Sequence, residues 1–458
     1  MKICDLNLRL YGITIIINIM SFLVGFFFAW TSPAIPKLKT PNEYNPLDHV
    51  LTSEEESWLA SLMPLGAATS TFISGYAADK IGRKSTLFFS SLITTIGILL
   101  SIIATGIRYL YLSRFFSGLG AGTVFTVIPV FVGEISEINN RGILGCVMVL
   151  AITLGIVCTY IIGPIISLID LSYLQLSVSM TFSVFLIMIV PESPYFYVQK
   201  DKYNNAYSSL RKLRVCDNDR IVNEFEEIRK SVQVSLESPI SLGDILKRTE
   251  LFRGIIITCS LVMFQQLSGV NVILFFLHSI FKETGSTISP DSSAITIGIV
   301  QALACTITSI FVDRLGRKIL MLISCIGGSL SLTTFGIYFY LKETNHNVTS
   351  IYWLPILSIV FFMIAYSLGL GPIPFVVLSE IFPTGVRFLA STITIFVCLL
   401  FTFCTTTFFP RLIEFIGMAY TFWMLAVFCF IGATFVFGFL PETKGKTFQE
   451  IQEILRAP

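Results

Sequence analysis

The stretch GYAADKIGRK at residues 75–84 recurs as IFVDRLGRK at residues 310–318, and this repetition decides the fold. Both stretches place an acidic residue three positions before Gly-Arg-Lys. The matched pairs are Asp79 with Asp313, Gly82 with Gly316, Arg83 with Arg317 and Lys84 with Lys318. A repeat separated by about half the chain indicates that two related units follow one another.

Two further pairs of motifs follow in the same order. The paired stretches are GEISEINNRG (133–142) with SEIFPTGVRF (379–388), and PESP (191–194) with PETKG (441–445). Their charged partners include Glu134 with Glu380 and Arg141 with Arg387. Three ordered matches predict one structural unit used twice. Two such halves with a site between them are the architecture for alternating access across a membrane.

The composition between these motifs indicates a membrane protein. Hydrophobic residues make up 54% of the 458 residues and charged residues 13%, about half the charged share of soluble domains. About twenty apolar residues cross a bilayer as a helix, because unpaired backbone groups are too costly in lipid. The stretches that qualify are 11–30, 58–78, 85–107, 110–133, 142–169, 174–190, 254–278, 292–312, 319–341, 352–378, 389–410 and 420–440. The sequence therefore predicts an all-α integral membrane protein with twelve transmembrane helices in two six-helix halves.

Most Lys and Arg residues fall on the side of the membrane that holds both chain ends, which assigns that side to the cytoplasm. The predicted parts are an N-terminal half at 1–190, a cytoplasmic linker with short helices at 191–252, a C-terminal half at 253–440 and a cytoplasmic tail at 441–458. Asn347, in the sequon Asn-Val-Thr, then lies outside, where it is a candidate for glycosylation.

Enzymatic activity is not expected. The three histidines are His49, His278 and His346, and no nucleophile, base or metal cluster accompanies them. No GxxxxGK[ST] phosphate loop is present, which argues against an ATP-driven pump. The net charge of +2 is too small to indicate nucleic acid. We expect no cofactor, no metal and no obligate protein partner, only a small solute and the lipid bilayer.

The motifs together resemble the sugar-porter family of the major facilitator superfamily over essentially the whole chain. Besides the repeated motifs, the resemblance rests on Arg114, PVFVGEI at 129–135, QQLSGVN at 265–271 and GLGPIP at 369–374. The segment TSEEESWLASLMPLGA at 52–67 is most similar to facilitated trehalose transporters of insects. The resemblance implies a multi-pass plasma-membrane protein that moves trehalose or a hexose. A carrier of another polyol or polar metabolite, and a sugar sensor without transport, are the alternatives.

The resemblance also implies a sugar site in the second half. The implied contacts are Gln265, Gln266, Asn271, Gln301 and Glu380, with Phe375 where the family often has Trp. Amide side chains both donate to and accept from hydroxyl groups, and they cost less in a membrane than ions do. Because the three amides at 265–271 do not share one face of a helix, Gly269 must permit a break. Interhelical bonding is the other interpretation of such amides.

The repeated charges suggest a conformational latch at the cytoplasmic face. Its members are Asp79, Arg83, Glu134, Arg141, Asp313, Arg317, Glu380 and Arg387. A carboxylate four residues before an arginine can pair locally, and the same arginine can reach a glutamate of the other half. Partly desolvated ion pairs that form in one conformer only would bias the equilibrium between outward- and inward-open forms.

Arg114 is the only Lys, Arg, Asp or Glu residue inside the twelve predicted spans. Proton-coupled members of the family carry an Asp in the first span that faces this Arg, and the alignment places Thr31 there. A proton carrier must titrate near neutral pH, which neither Thr nor Arg does. The sequence therefore predicts facilitated diffusion without proton coupling.

Overall fold

The computed structural model describes residues 8–40, 45–47, 49–137, 140–214, 218–237, 247–284, 289–382, 384–444, 446 and 448–456. Within these residues the regular structure is helical, as the cost of unpaired backbone groups in lipid demands. The helices of the first half are α1 (Leu8–Ala29), α2 (Thr31–Lys39), α3 (Ser53–Ile81), α4 (Arg83–Ile102), α5 (Ile107–Ile135), α6 (Arg141–Ile162) and α7 (Leu168–Met188).

Three shorter helices follow, and then the second half. The short helices are α8 (Pro194–Gln199), α9 (Tyr203–Leu213) and α10 (Asn218–Glu237). The second half holds α11 (Thr249–Leu267), α12 (Val270–Thr284), α13 (Pro290–Leu315), α14 (Arg317–Glu343), a 3-10 turn (Thr349–Ile351), α15 (Leu354–Leu368), α16 (Ile373–Ile381) and α17 (Thr384–Phe439), and α18 (Phe448–Arg456) ends the chain. We refer to α1–α7 as the N-half and to α11–α17 as the C-half.

Ten segments among the described residues are long and apolar enough to cross a membrane. Helix α3 is not one of these ten, and its first turn carries three glutamates. The last of the ten runs through Gly417, whose φ of +84° bends α17 between two long apolar stretches. Ten apolar segments in an all-helical chain agree with the predicted fold class at that level of detail.

Two apolar cores organise the packing. The larger contains residues of both halves, such as Phe28 and Phe131 with Phe275 and Phe422. The smaller joins the C-half to α18 and includes Leu320, Phe382 and Leu455. In the linker, Ile221 and Ile228 of α10 are buried against Val198 and Leu210, so the helical spacing of apolar residues there reflects packing onto α8 and α9.

The bundle has two ends, which we name by the residues that mark them. The basic end carries Arg83, Arg317 and the linker helices. The far end carries α2 and the turn at Thr349–Ile351. Several polar contacts between the N-half and the C-half lie at the far end. Examples are the Thr31 hydroxyl on the Phe275 carbonyl, the Ser57 hydroxyl on the Thr407 carbonyl and the exposed pair of Arg411 and Glu54.

Candidate functional site

The three amides of the QQLSGVN motif come together at a break between α11 and α12. Helix α11 ends at Leu267, Gly269 has a φ of +82°, and α12 begins at Val270. A positive φ of this size suits glycine, which has no Cβ to clash. The break lets Asn271 Nδ2 donate to Gln266 Oε1 at 2.5 Å. The helix break that the sequence required at Gly269 is therefore confirmed.

Both glutamines extend this network to other helices of the C-half. Gln265 Nε2 donates to the Tyr366 hydroxyl at 3.1 Å and to the Gly371 carbonyl at 3.0 Å. Gln266 Nε2 lies 2.9 Å from Cys398 Sγ. Asn271 Nδ2 also donates to Thr402 Oγ1 at 3.2 Å. The network thus joins α11, α12, α15 and α17, and it has no ionised member.

Sequence reasoning did not include Tyr366 or Thr402 in the site. Both lie in apolar spans that contain other hydroxyl side chains, and a Thr whose hydroxyl bonds back to its own helix is common in such spans, as Thr402 does to the Cys398 carbonyl. Cys398 is not among the predicted site residues either. All three can be recognised as site residues only from their position opposite the amides in the folded structure.

The Gly371 carbonyl is reachable because the predicted tenth span is broken. Helix α15 ends at Leu368 and α16 begins at Ile373, with Pro372 at the junction. Proline has no N–H and so removes a rung of the helical ladder. The Gly371 carbonyl lies in the gap between the two helices, where it accepts a hydrogen bond from the buried amide of Gln265.

The other three predicted site residues are placed differently. Gln301, on α13, is buried, and its Oε1 has no hydrogen-bond partner among the described residues. Phe375, on α16, leaves 39% of its surface exposed. Glu380 binds Arg317 at the basic end. In the described part of the chain, no hydrogen bond or ring contact ties these three to the amide network.

Arg114 is buried within the N-half, where backbone and an aromatic ring surround it. Its Nη1 donates to the Phe27 carbonyl at 2.8 Å and its Nε to the Leu59 carbonyl at 3.0 Å. Its guanidinium lies 5.2 Å from the centre of the Trp30 ring, which adds a cation–π attraction. Its Nη2 is buried without a partner among the described residues. These contacts fix the junction between α1 and α2.

At the basic end, the repeated motifs of the N-half meet in one cluster. Arg83 Nη2 binds Glu134 Oε1 at 2.8 Å and lies 3.5 Å from Asp79. Glu192 of the PESP motif accepts hydrogen bonds from the backbone N–H of Arg83 at 3.0 Å and of Lys84 at 3.1 Å. A carboxylate at a helix N-terminus satisfies free N–H groups and the helix dipole. We call Gly82, Arg83, Glu134 and Glu192 the N-cluster.

The C-half repeats this arrangement residue for residue. Arg317 Nη2 binds Glu380 Oε1 at 2.8 Å. Glu442 of the PETKG motif accepts from the backbone N–H of Arg317 at 2.9 Å and of Lys318 at 3.1 Å. Burial acts to raise the pKa of Glu442, but its backbone N–H donors outweigh that effect and hold the pKa below its usual value. We call Gly316, Arg317, Glu380 and Glu442 the C-cluster.

The two clusters bear on the predicted latch. The sequence suggested that Arg83 and Arg317 also reach a glutamate of the other half, whereas their described ion pairs lie within their own halves. The halves meet through polar contacts at the far end in this conformation, so each arginine satisfies its charge locally. The side chains of Arg141, Asp313 and Arg387 lie outside the part of the chain that the structure describes.

Asn347 lies at the far end, before the 3-10 turn, and is exposed. Its Oδ1 accepts from the Thr349 backbone N–H at 3.0 Å and from the Thr349 hydroxyl at 2.6 Å. The sequon therefore forms an accessible turn at the far end of the bundle.

Comparison with known proteins places the chain in a family. Residues 13–455 match the family described as "Sugar (and other) transporter". A facilitated trehalose transporter, Tret1, of Bombyx mori is 34% identical over 440 residues, which are 95% of this chain and 85% of that protein. Tret1 of Culex quinquefasciatus is 33% identical over 95% of this chain and 84% of its own.

The fold also matches solved structures. The proton:xylose symporter XylE of the major facilitator superfamily, bound to 6-bromo-6-deoxy-D-glucose, superposes with a TM-score of 0.78 at 23% identity, over 98% of this chain and 99% of that one. At this identity the likeness concerns the fold. With the family match over nearly the full length, the conclusion is that this chain belongs to the Sugar (and other) transporter family.

Proposed function

We propose that this protein is a facilitative transporter that moves trehalose or a hexose across the plasma membrane by alternating access. The observation that carries the proposal is the buried, uncharged amide network at the break between α11 and α12, in a chain of this family. A sugar presents many hydroxyl groups and no charge. Amide groups that already donate to one another and to hydroxyls can exchange those bonds for bonds to a sugar with little loss.

The proposed site consists of Gln265, Gln266, Asn271, Gln301, Phe375 and Glu380. Gln301 supports it because a buried acceptor without a partner is costly unless a ligand or water fills the place. The exposed face of Phe375 can cover the C–H side of a sugar ring. Glu380 is assigned to both site and latch, and its bond to Arg317 places it at the basic end in this conformation.

We propose twelve spans with both termini in the cytoplasm, the basic end facing inward. The ten apolar segments reach this number if Ser53–Ile81 is added and the helix bent at Gly417 is counted as two. The proposed parts remain two six-helix halves, at 1–190 and 253–440, the linker at 191–252 and the tail at 441–458.

The exposed Asn347 at the far end suits glycosylation outside the cell. Treatment with a glycosidase should then shift the electrophoretic mobility of the protein, and the shift should be absent in Asn347→Gln.

Transport without proton coupling is supported by the surroundings of Thr31 and Arg114. Thr31 donates its hydroxyl to the Phe275 carbonyl, and the described partners of Arg114 are two carbonyls and a ring. Neither contact involves a group that titrates near neutral pH. In proteoliposomes we expect an imposed pH gradient to leave sugar accumulation at equilibrium; uphill accumulation would overturn the uniport proposal.

The N-cluster and the C-cluster support a latch at the basic end. Their arginine–glutamate pairs are mostly buried and lie within each half in the conformation with a joined far end. We propose that closure of the basic end brings the clusters, with Arg141 and Arg387, within reach of one another. Glu380→Ala is then expected to change the ratio of outward- to inward-open conformers. An unchanged ratio would remove Glu380 from the latch.

Uptake in oocytes is the test of the function. Labelled trehalose and labelled glucose, each with the other as competitor, should show saturable uptake of one or both sugars. Gln266→Ala should raise KM for the sugar carried, since it removes a polar contact and an acceptor for Asn271. The matched control is Gln175→Ala, a buried amide of α7 that lies outside the proposed site. A surface-expressed protein with no uptake of either sugar, or of polyols, would overturn transport and leave sensing.

A further inference from the structure

Helix α12 bends at a place where its own sequence supplies no reason. Phe276 has φ −109° and ψ 17°, outside the helical range, although Val270–Thr284 contains no glycine or proline. Sharp bends in helices arise at such residues, or where a side chain inserts into the hydrogen-bond ladder. With no glycine or proline in α12, side chains of neighbouring helices are the first candidates for the cause of this bend.

Three hydroxyl side chains of the N-half bond to the backbone of α12 at the bend. The Tyr160 hydroxyl donates to the Leu274 carbonyl at 2.7 Å. The Thr31 hydroxyl donates to the Phe275 carbonyl at 2.9 Å. The His278 N–H donates to the Ser32 hydroxyl oxygen at 3.2 Å. The three hydroxyl-bearing residues, Thr31, Ser32 and Tyr160, are all buried, so bulk water does not compete for these bonds.

Two of these contacts involve a carbonyl and an N–H group that would bond to each other in a regular helix. In an unbroken α-helix the carbonyl of residue i accepts from the N–H of residue i+4, and Leu274 and His278 stand in that relation. Tyr160 binds the carbonyl and Ser32 the N–H. The backbone of α12 therefore has two alternative sets of partners, one within a straight helix and one on the N-half.

We propose that Thr31, Ser32 and Tyr160 form a hydroxyl clasp that holds α12 bent and the far end closed. When the far end opens, the clasp separates and the backbone of α12 pairs with itself, so that no buried backbone group is left without a partner. Opening thus avoids the usual penalty of breaking buried hydrogen bonds. The inference rests on the proposed alternating access and gives Thr31 a positioning role.

The base of the clasp is held in place by Arg114. Its bond to the Phe27 carbonyl and its contact with the Trp30 ring hold the residues just before Thr31, and its bond to the Leu59 carbonyl ties them to α3. Thr31 and Ser32 therefore extend from a junction that is held in place, whereas α12 is the element that bends.

The test measures the conformer ratio directly, without sugar. Spin labels carried by unnatural amino acids at Ile165 and Tyr352, exposed residues of the two halves at the far end, report the far-end distance by pulsed electron spin resonance in nanodiscs. Thr31→Val and Tyr160→Phe each remove one neutral hydrogen bond and should raise the open-to-closed ratio about fivefold. Thr31→Ser, which retains the hydroxyl, should behave like the unmodified protein.

Tyr338→Phe is the matched control. Its hydroxyl also donates to a carbonyl of α12, that of Thr284, at 2.9 Å, but it belongs to the C-half. We expect Tyr338→Phe to leave the distance distribution unchanged. Unchanged distributions in both Thr31→Val and Tyr160→Phe, or an equal shift in Tyr338→Phe, would overturn the clasp. Failed sugar uptake by the unmodified protein would instead count against the proposed function.

Discussion

The N-cluster and the C-cluster arise from the same repeated motifs, yet their hydrogen bonding differs. In the C-cluster Arg317 binds one oxygen of Glu380 and the Thr443 hydroxyl donates to the other at 2.5 Å. In the N-cluster Glu134 Oε2 and Arg83 Nε are buried and make no hydrogen bond of regular geometry with the described residues, although the Ser193 hydroxyl, the counterpart of Thr443, lies near Glu134. The repeated sequence therefore gives the same geometry in both halves, but the buried charged groups of the two clusters are not equally hydrogen-bonded.

This difference in hydrogen bonding indicates which cluster depends more on its ion pair. A buried charge without further hydrogen bonds relies on its counter-ion. The Glu134 side chain is 15% exposed and that of Glu380 is 25% exposed. The N-cluster should therefore be the more sensitive to loss of its arginine. It should also gain more from a new partner when the basic end closes.

The largest effect is expected from Arg83→Ala. It leaves Glu134 buried without its counter-ion, at a cost of about 3–5 kcal/mol. Arg317→Ala should cost less, about 2 kcal/mol, because Glu380 keeps the Thr443 hydroxyl and more solvent. Thermal unfolding of both variants in detergent would measure the order. Equal losses would show that the unsatisfied atoms of the N-cluster carry no energetic weight.

The next effect concerns the carboxylates that cap α4 and α14. Glu192→Ala removes the acceptor of the Arg83, Lys84 and Ser193 N–H groups and should cost about 2–4 kcal/mol. Glu442→Ala should cost somewhat less, since Glu442 is less buried. The glutamine variants, which keep an acceptor oxygen, serve as controls and should recover part of the loss in the same unfolding assay.

A smaller effect is expected from the two glycines of the repeat. Gly82 (φ +100°, ψ 162°) and Gly316 (φ +88°, ψ 155°) lie in a backbone region populated almost only by glycine, which strains any other residue by about 1–3 kcal/mol. A Cβ on Gly82 would lie 2.2 Å from a Glu192 oxygen, against 2.8 Å from a Glu442 oxygen for Gly316. Gly82→Ala should therefore destabilise more than Gly316→Ala. The reverse order would mean that the Glu192 side chain relaxes freely.

The smallest effect comes from Thr443→Val, which should make the C-cluster resemble the N-cluster. It removes one hydrogen bond from Glu380 and should cost about 1 kcal/mol. Combined with Arg317→Ala, it should bring the total loss close to that of Arg83→Ala. A double variant no less stable than Arg317→Ala alone would show that Thr443 does not compensate.

Much of the candidate site follows from the sequence because its chemistry is local. The QQLSGVN motif concentrates three amides in seven residues of an apolar span, and their spacing alone requires a break at Gly269, which the structure contains. Tyr366 and Cys398 could not be found in this way. Each is 101 or more residues distant in sequence from the glutamines it contacts, and no periodicity links them.

The membrane class and the repeated motifs can be predicted from the amino-acid order, because lipid imposes a length and composition on every span and because each motif lies within a few residues. The pairing of side chains becomes known only when the helices are packed. It placed the arginines on glutamates of their own halves, and it set Thr31, Ser32 and Tyr160 on the backbone of α12. Backbone groups carry no sequence signature, so contacts with them arise only when the helices pack.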